Sequence, residues 1–220
     1  MNFGGGHSLN AGRLMSLGDS ITQGNHTPSK DGFRKVLHDG LTAAGIAHIE
    51  VGGIEGDGNG GGTLVWPYNR HEGYGSNTIA QLTARVPGRM AINPADTVTI
   101  HAGTVDCAAG ATVAQMVTDL SALIDAVSSS GTRRIVLAQI IPQGPPNGGS
   151  PALVQQYNAE MPGLVATKRA AGHRIVLVDM FTGFDIASWS TDGVHPTSEV
   201  AAAFMGWRWV DGINRALRVN

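Results

Sequence analysis

Residues 13–24 read Arg-Leu-Met-Ser-Leu-Gly-Asp-Ser-Ile-Thr-Gln-Gly. Arg13 to Leu17 is a short apolar run of strand type, and it passes directly into Gly18-Asp19-Ser20 and then a helical region. The same alternation continues outward. Phe33 to Ala44 has helical spacing, with Phe33, Val36, Leu37 and Leu41 on one face, and Gly45 ends it. Ile46 to Val51 reads as a second strand. Residues 52–72 form a glycine-rich excursion that holds Trp66 and Pro67. Ser76 to Val86 is a short helix, and Thr97 to His101 a third strand. Val113 to Val127 is a strong helix, with Met116, Val117, Leu120, Leu123, Ile124 and Val127 in register. Arg134 to Ile141 is a fourth strand, followed by a Pro/Gly loop. Ala152 to Ala171 is helical, and Pro162 is expected to kink or interrupt it. Arg174 to Val178 is a fifth strand. A last helix spans Ser198 to Leu217, with Val200, Phe204, Trp207, Val210, Ile213 and Leu217 expected to face the core.

This alternation is the pattern of an α/β protein with a parallel sheet covered on both faces. Active sites in such sheets form at the carboxyl ends of the strands, so the loops after Leu17, His101 and Val178 belong on one rim. No repeat or linker interrupts the 220 residues, and residues 1–220 read as one domain.

Composition narrows the function. Hydrophobic residues make up 42% and charged residues 15%, an ordinary globular balance. The net charge of -2 carries no basic block, which argues against nucleic acid and against a polybasic membrane anchor as partners. No run approaches the ~20 apolar residues of a membrane span. The amino terminus shows no signal-peptide pattern, and a secreted mature form fits equally. The single cysteine, Cys107, excludes an internal disulfide and a multi-cysteine zinc site, and reads as a small buried residue.

The chemistry-bearing signal joins the two ends of the chain. Ser20 follows the first strand, and a serine hydroxyl needs a base before it becomes a nucleophile. Thr191-Asp192-Gly193-Val194-His195-Pro196 precedes the last helix. With Asp192 three residues before His195, a bent loop lets the carboxylate bond one ring nitrogen while the other faces Ser20. Alone, each residue has a structural reading: a turn serine, a packed histidine, a capping aspartate. Together, in an α/β frame, they read as a triad.

The blocks that carry these residues resemble those of the SGNH, or GDSL, hydrolases. Met15-Ser-Leu-Gly-Asp-Ser-Ile-Thr-Gln-Gly24 is similar to their first block, and Thr191-Asp-Gly-Val-His-Pro-Thr197 to their last. His71-Glu-Gly-Tyr-Gly-Ser-Asn-Thr-Ile79 resembles the second block of carbohydrate esterase family three, the acetyl xylan esterase-like branch. His101-Ala-Gly-Thr-Val-Asp-Cys107 resembles the third block, Gly-x-Asn-Asp. The similarity spans about Arg13 to Leu217. It implies a three-layer α/β/α sandwich with a five-stranded parallel sheet. It also implies ester hydrolysis through an acyl-enzyme, with no cofactor. Ser20 would attack, His195 act as base and Asp192 orient it. The backbone N–H of Ser20 and the loop at Gly75 or Ser76 would hold the oxyanion.

Two departures from the family's pattern matter. Val105 stands where the asparagine of the third block donates its amide, and Ser76 occupies the glycine position of the second block. Losing one oxyanion donor typically costs ~10²–10³ in turnover. Asn77 has two readings, a substitute amide donor or a helix cap. Trp66, Tyr68 and Tyr74 cluster near the second block, either as platforms for a sugar, with Trp66 and Tyr74 as substrate-binding residues, or as packing for a long loop. Two functions follow: an esterase for small acyl groups, carried on carbohydrate, or a weakened domain that binds a glycan or serves a structural role. Gly56 to Gly61 contains G-x-G-x-x-G without the helix a dinucleotide site needs, and without the ligands of an EF-hand loop. The histidines show no metal-ligand spacing, and His71 and His101 read as packed residues.

Overall fold

A computed structural model describes residues 9–65 and 67–219. In chain order, β1 (Asn10–Gly18) leads into α1 (Ser20–Gln23), α2 (Arg34–Ala43) and β2 (Ala47–Glu50). β3 (Ile54–Glu55) and β4 (Arg70–Gly73) lie in the glycine-rich excursion. Then come α3 (Ile79–Ile92), β5 (Thr97–His101), α4 (Thr104–Ala108), α5 (Val113–Ser129) and β6 (Arg134–Ala138). The chain ends with α6 (Pro151–Ala170), β7 (Ile175–Val178), α7 (Ile186–Trp189) and α8 (Glu199–Arg218).

β2, β1, β5, β6 and β7 form a parallel sheet in that order, the five strands expected from the sequence. Two further short strands extend it. β4 pairs in parallel with the last residues of β1, on the edge that β2 uses earlier, and β3 pairs antiparallel with β4. Alternating side chains feed two cores. On β6, Ile135 and Leu137 join the layer of α3, α5 and α6, while Val136 and Ala138 join the layer of α2 and α8. This period of two, repeated across apolar strands, makes the sandwich three layers deep.

Helix α8 differs in part from its expected facing: Ile213 is buried as expected, and Phe204, Val210 and Leu217 pack partly buried against the core. Val200 and Trp207 are 60% and 56% exposed, and Ala201, Met205, Trp209, Ile213 and Ala216 turn inward. At two positions the helix lies too close to its neighbours for any side chain. A Cβ at Gly212 would sit 2.4 Å from Val178 Cγ2, and one at Gly206 would sit 2.6 Å from Val36 Cβ. Small residues therefore share the buried stripe with Met205, Trp209 and Ile213.

Pro162 does not interrupt α6. Proline removes the N–H that would bond the carbonyl four residues earlier, that of Asn158. Gln139 Nε2 donates to that carbonyl instead, at 3.1 Å. The Asn158 side chain meanwhile bonds both backbone groups of Ile140, at 2.9 and 2.8 Å, and docks the helix on the loop after β6.

Candidate active site

The carboxyl rim of the sheet gathers the loops named in the sequence. In register, Gly18 lies beside Gly73 on one side and His101 on the other. Asp19 caps the start of α1 by accepting the Ile21 N–H at 3.0 Å, and Ser20 opens the helix. Asp19 is fully buried, and burial pushes its carboxyl up to about 6 against the opposing Ile21 bond. Buried Arg34 ties this turn to the excursion by donating to the carbonyls of Thr22, Gln23 and Gly56.

Across the rim, Ser20 Oγ lies 2.7 Å from His195 Nε2, and His195 Nδ1 lies 2.6 Å from Asp192 Oδ2. A carboxylate only accepts, so Nδ1 carries the ring proton and Nε2 presents its lone pair to the hydroxyl. Asp192 Oδ1 accepts three further bonds: from Ser190 Oγ at 3.0 Å and from the N–H groups of Val194 and His195 at 2.9 and 2.8 Å. Burial raises this carboxyl, but the His195 and Val194 bonds outweigh it and hold Asp192 well below the usual carboxylate range. Gly193 makes the bend possible. Its φ is +77°, and a Cβ there would lie 2.0 Å from the Gly144 carbonyl oxygen. The Pro/Gly loop braces the turn, with Gly144 N–H on Gly193 O and Asn147 N–H on Asp192 O.

Ser20 and His195 open onto a cleft of about 390 Å³ whose walls include Gly75, Ser76, Thr104 and Val105. Among the described residues, the N–H groups of Ser20, Gly75 and Ser76 donate to no protein acceptor. Ser76 holds a left-handed backbone, φ +59°, the region where glycine is favoured. Val105 lines the wall with an aliphatic group and no donor.

Other expected residues fall elsewhere. Asn77 does not line the cleft; its amide donates to Gly75 O at 3.1 Å and its oxygen accepts Arg85 Nε at 2.9 Å. It is not the cap either, since Thr78 caps α3 with a capping box closed by Gln81. Tyr74 also stands outside the cleft: Arg85 covers its ring at 4.2 Å, and its hydroxyl donates to Glu72 at 2.5 Å. Tyr68 packs on His38. Trp66 lies outside the described residues. His71 and His101 are buried. Burial pushes the His101 imidazole down to about 4 and that of His71 well below its ordinary value. Burial also pushes the Cys107 thiol up to about 12.

The sequence reading missed His26. Its ring stacks on His195 at 3.5 Å between centroids and 6° between planes, and it lines the cleft beside Asn25. Burial and then the charge of His195 lower its pKa. The signal available was nearness to Ser20, six residues along in the turn after α1.

The GDSL-like Lipase/Acylhydrolase family model matches residues 16–203. Among solved structures, a family 3 carbohydrate esterase from Clostridium thermocellum is similar at 27% identity and TM-score 0.80, over 95% of this chain and 98% of that one. A carbohydrate esterase family 3 structure from Talaromyces cellulolyticus shares the fold at 20% identity and TM-score 0.79, over 96% and 100% of the two chains. No curated protein matches.

Proposed function

We propose, for a chain that belongs to the GDSL-like Lipase/Acylhydrolase family and is thereby a carboxylic ester hydrolase, that Ser20, His195 and Asp192 are its catalytic triad. The observation that carries this reading is the continuous chain of bonds from Ser20 Oγ through the His195 ring to Asp192, at 2.7 and 2.6 Å. Ser20 Oγ attacks the ester carbonyl while His195 Nε2 takes its proton, and Asp192 stabilises the imidazolium that forms. The tetrahedral oxyanion is held by the backbone N–H groups of Ser20 and of Gly75 or Ser76. Collapse expels the alcohol, which leaves with the proton on His195, and an acyl-Ser20 ester remains. Water then attacks that ester as His195 takes its proton, and the carboxylic acid departs as Ser20 regains its hydrogen.

The substrate is a small acyl ester, an acetylated carbohydrate in the reading favoured here. A cleft with mixed lining suits a short acyl group, and the Clostridium thermocellum relative is a carbohydrate esterase. Val105 favours slow turnover, with binding of a glycan as what a weakened domain would retain. Hydrolysis of p-nitrophenyl acetate separates the two. Ser20→Ala is expected to lower kcat by about 10⁴ or more, to the level left by binding alone. Equal rates for the wild type and Ser20→Ala would remove the triad and leave the glycan-binding reading.

A further inference from the structure

Away from the rim that carries Ser20, the edge strand β2 pairs with the first half of β1. His48 and Glu50 are two apart on β2 and so share one face. His38, from α2, comes over that face. His38 Nδ1 lies 3.0 Å from His48 Nε2 and 3.3 Å from Glu50 Oε1, and His48 Nε2 lies 3.5 Å from the same oxygen. Donors bound at about 2.0–2.1 Å to a tetrahedral divalent ion lie about 3.3 Å from one another. The three atoms therefore outline one face of such a tetrahedron.

The surroundings are those of a ligand set. His48 Nδ1 donates to Ile46 O at 2.9 Å, which fixes the ring with the Nε2 lone pair toward the cluster. Glu50 is 5% exposed, and neither carboxylate oxygen has a hydrogen-bond partner among the described residues. A buried carboxylate in that state calls for a cation. Arg34 contributes positive charge nearby, and its Nη1 has no hydrogen-bond partner among the described residues, but it forms no ion pair with Glu50, and its Nε and Nη2 donate to the carbonyls of Thr22, Gln23 and Gly56. A cleft of about 290 Å³, lined by His38, Thr42, His48 and Tyr68, gives water access to the remaining coordination position.

We propose that His38 Nδ1, His48 Nε2 and Glu50 form a binding site for a divalent transition-metal ion of the zinc type, separate from the catalytic cleft. Two imidazoles and one carboxylate suit that class of ion rather than calcium or magnesium. The position on the α2–β2 unit makes its role structural, pinning the edge strand to the helix. The competing occupant is a proton shared within the cluster. A second cluster, His26, Asp192 and His195, also offers ligand atoms, but there the imidazole and carboxylate already bond each other and Ser20.

The test titrates zinc sulfate into the chelator-treated, dialysed protein, read by calorimetry and by thermal denaturation. One zinc per chain is expected, with Tm raised by roughly 5–10 °C at a hundredfold excess over Kd. His38→Ala and Glu50→Gln should each weaken binding about a hundredfold, and His26→Ala should leave it unchanged. His38 is half-buried at the surface, so its variant carries the test if Glu50→Gln fails to fold. Absence of stoichiometric binding, or binding that survives His38→Ala and disappears in His26→Ala, would overturn the proposal. Hydrolysis by the metal-free protein keeps this outcome distinct from the triad reading.

Discussion

Val105 lines the wall that Ser20, Gly75 and Ser76 share, one residue into the first turn of α4. An asparagine side chain there differs in volume by little, and adds an N–H₂ group where Val105 has only methyls. If the remaining donors are assembled, Val105→Asn should raise kcat for p-nitrophenyl acetate by about tenfold or more, part of the ~10²–10³ that one donor supplies. An unchanged kcat in a folded variant would mean that the oxyanion forms elsewhere. At this scale the sequence was most legible where the chemistry is local. Asp192 and His195 share one bend, and their spacing alone fits a carboxylate behind a ring. His26 was illegible because stacking depends on how the turn after α1 folds back, which no spacing records. Asn77 misled for the complementary reason: its position in the loop was visible, but the competing claims of Gly75 O and Arg85 on its amide were not. His38, His48 and Glu50 were missed because their proximity is a register of helix on strand rather than a motif.

Helix α6 shows how an element tolerates a residue that should break it. The carbonyl freed by Pro162 belongs to Asn158, and Gln139 from the end of β6 satisfies it. Gln139→Leu should therefore cost about 1–3 kcal/mol in urea denaturation, the penalty of an unpaired buried carbonyl. In a Pro162→Ala background the alanine N–H takes the same carbonyl, and the cost of Gln139→Leu should fall by about 1 kcal/mol or more. Additive effects in this double-mutant cycle would show that the bond does not compensate the proline. A short run buried throughout was readable: β5 matches its expected bounds. β3 and β4 were not, since Arg70-His71-Glu72-Gly73 is polar. It forms a strand because Glu72 is satisfied by Gly53, Tyr74 and Arg89, and His71 by Gly56 and Gly73. Those partners lie up to 19 residues away, beyond any periodicity.

Across the whole molecule, buried ionisable groups set the response to acid, and their signs differ. His71 and His101 are neutral in the native state, with His101 pushed down to about 4 and His71 well below its ordinary value, both by burial. Below pH ~6.5 the unfolded chain takes up protons at these positions and the native protein does not, so stability falls as pH falls toward 4. Asp19 acts in the opposite sense. Its carboxyl is raised by burial from 3.8 to about 6, so between those values the native state holds a proton that the unfolded chain has released, and stability rises as pH falls. Asp192, held below the usual range, stabilises above about pH 4 and withdraws that contribution only in stronger acid. From pH 7.5 to 5 the histidines prevail and the urea midpoint should drop. Asp19→Asn keeps a good helix cap while removing a carboxyl that titrates in this window with the opposite sign. The drop between pH 7.5 and 5 should therefore deepen by roughly 1 kcal/mol as that compensation is lost. A variant with the wild-type pH dependence would show that Asp19 stays ionised in the native protein down to pH 5.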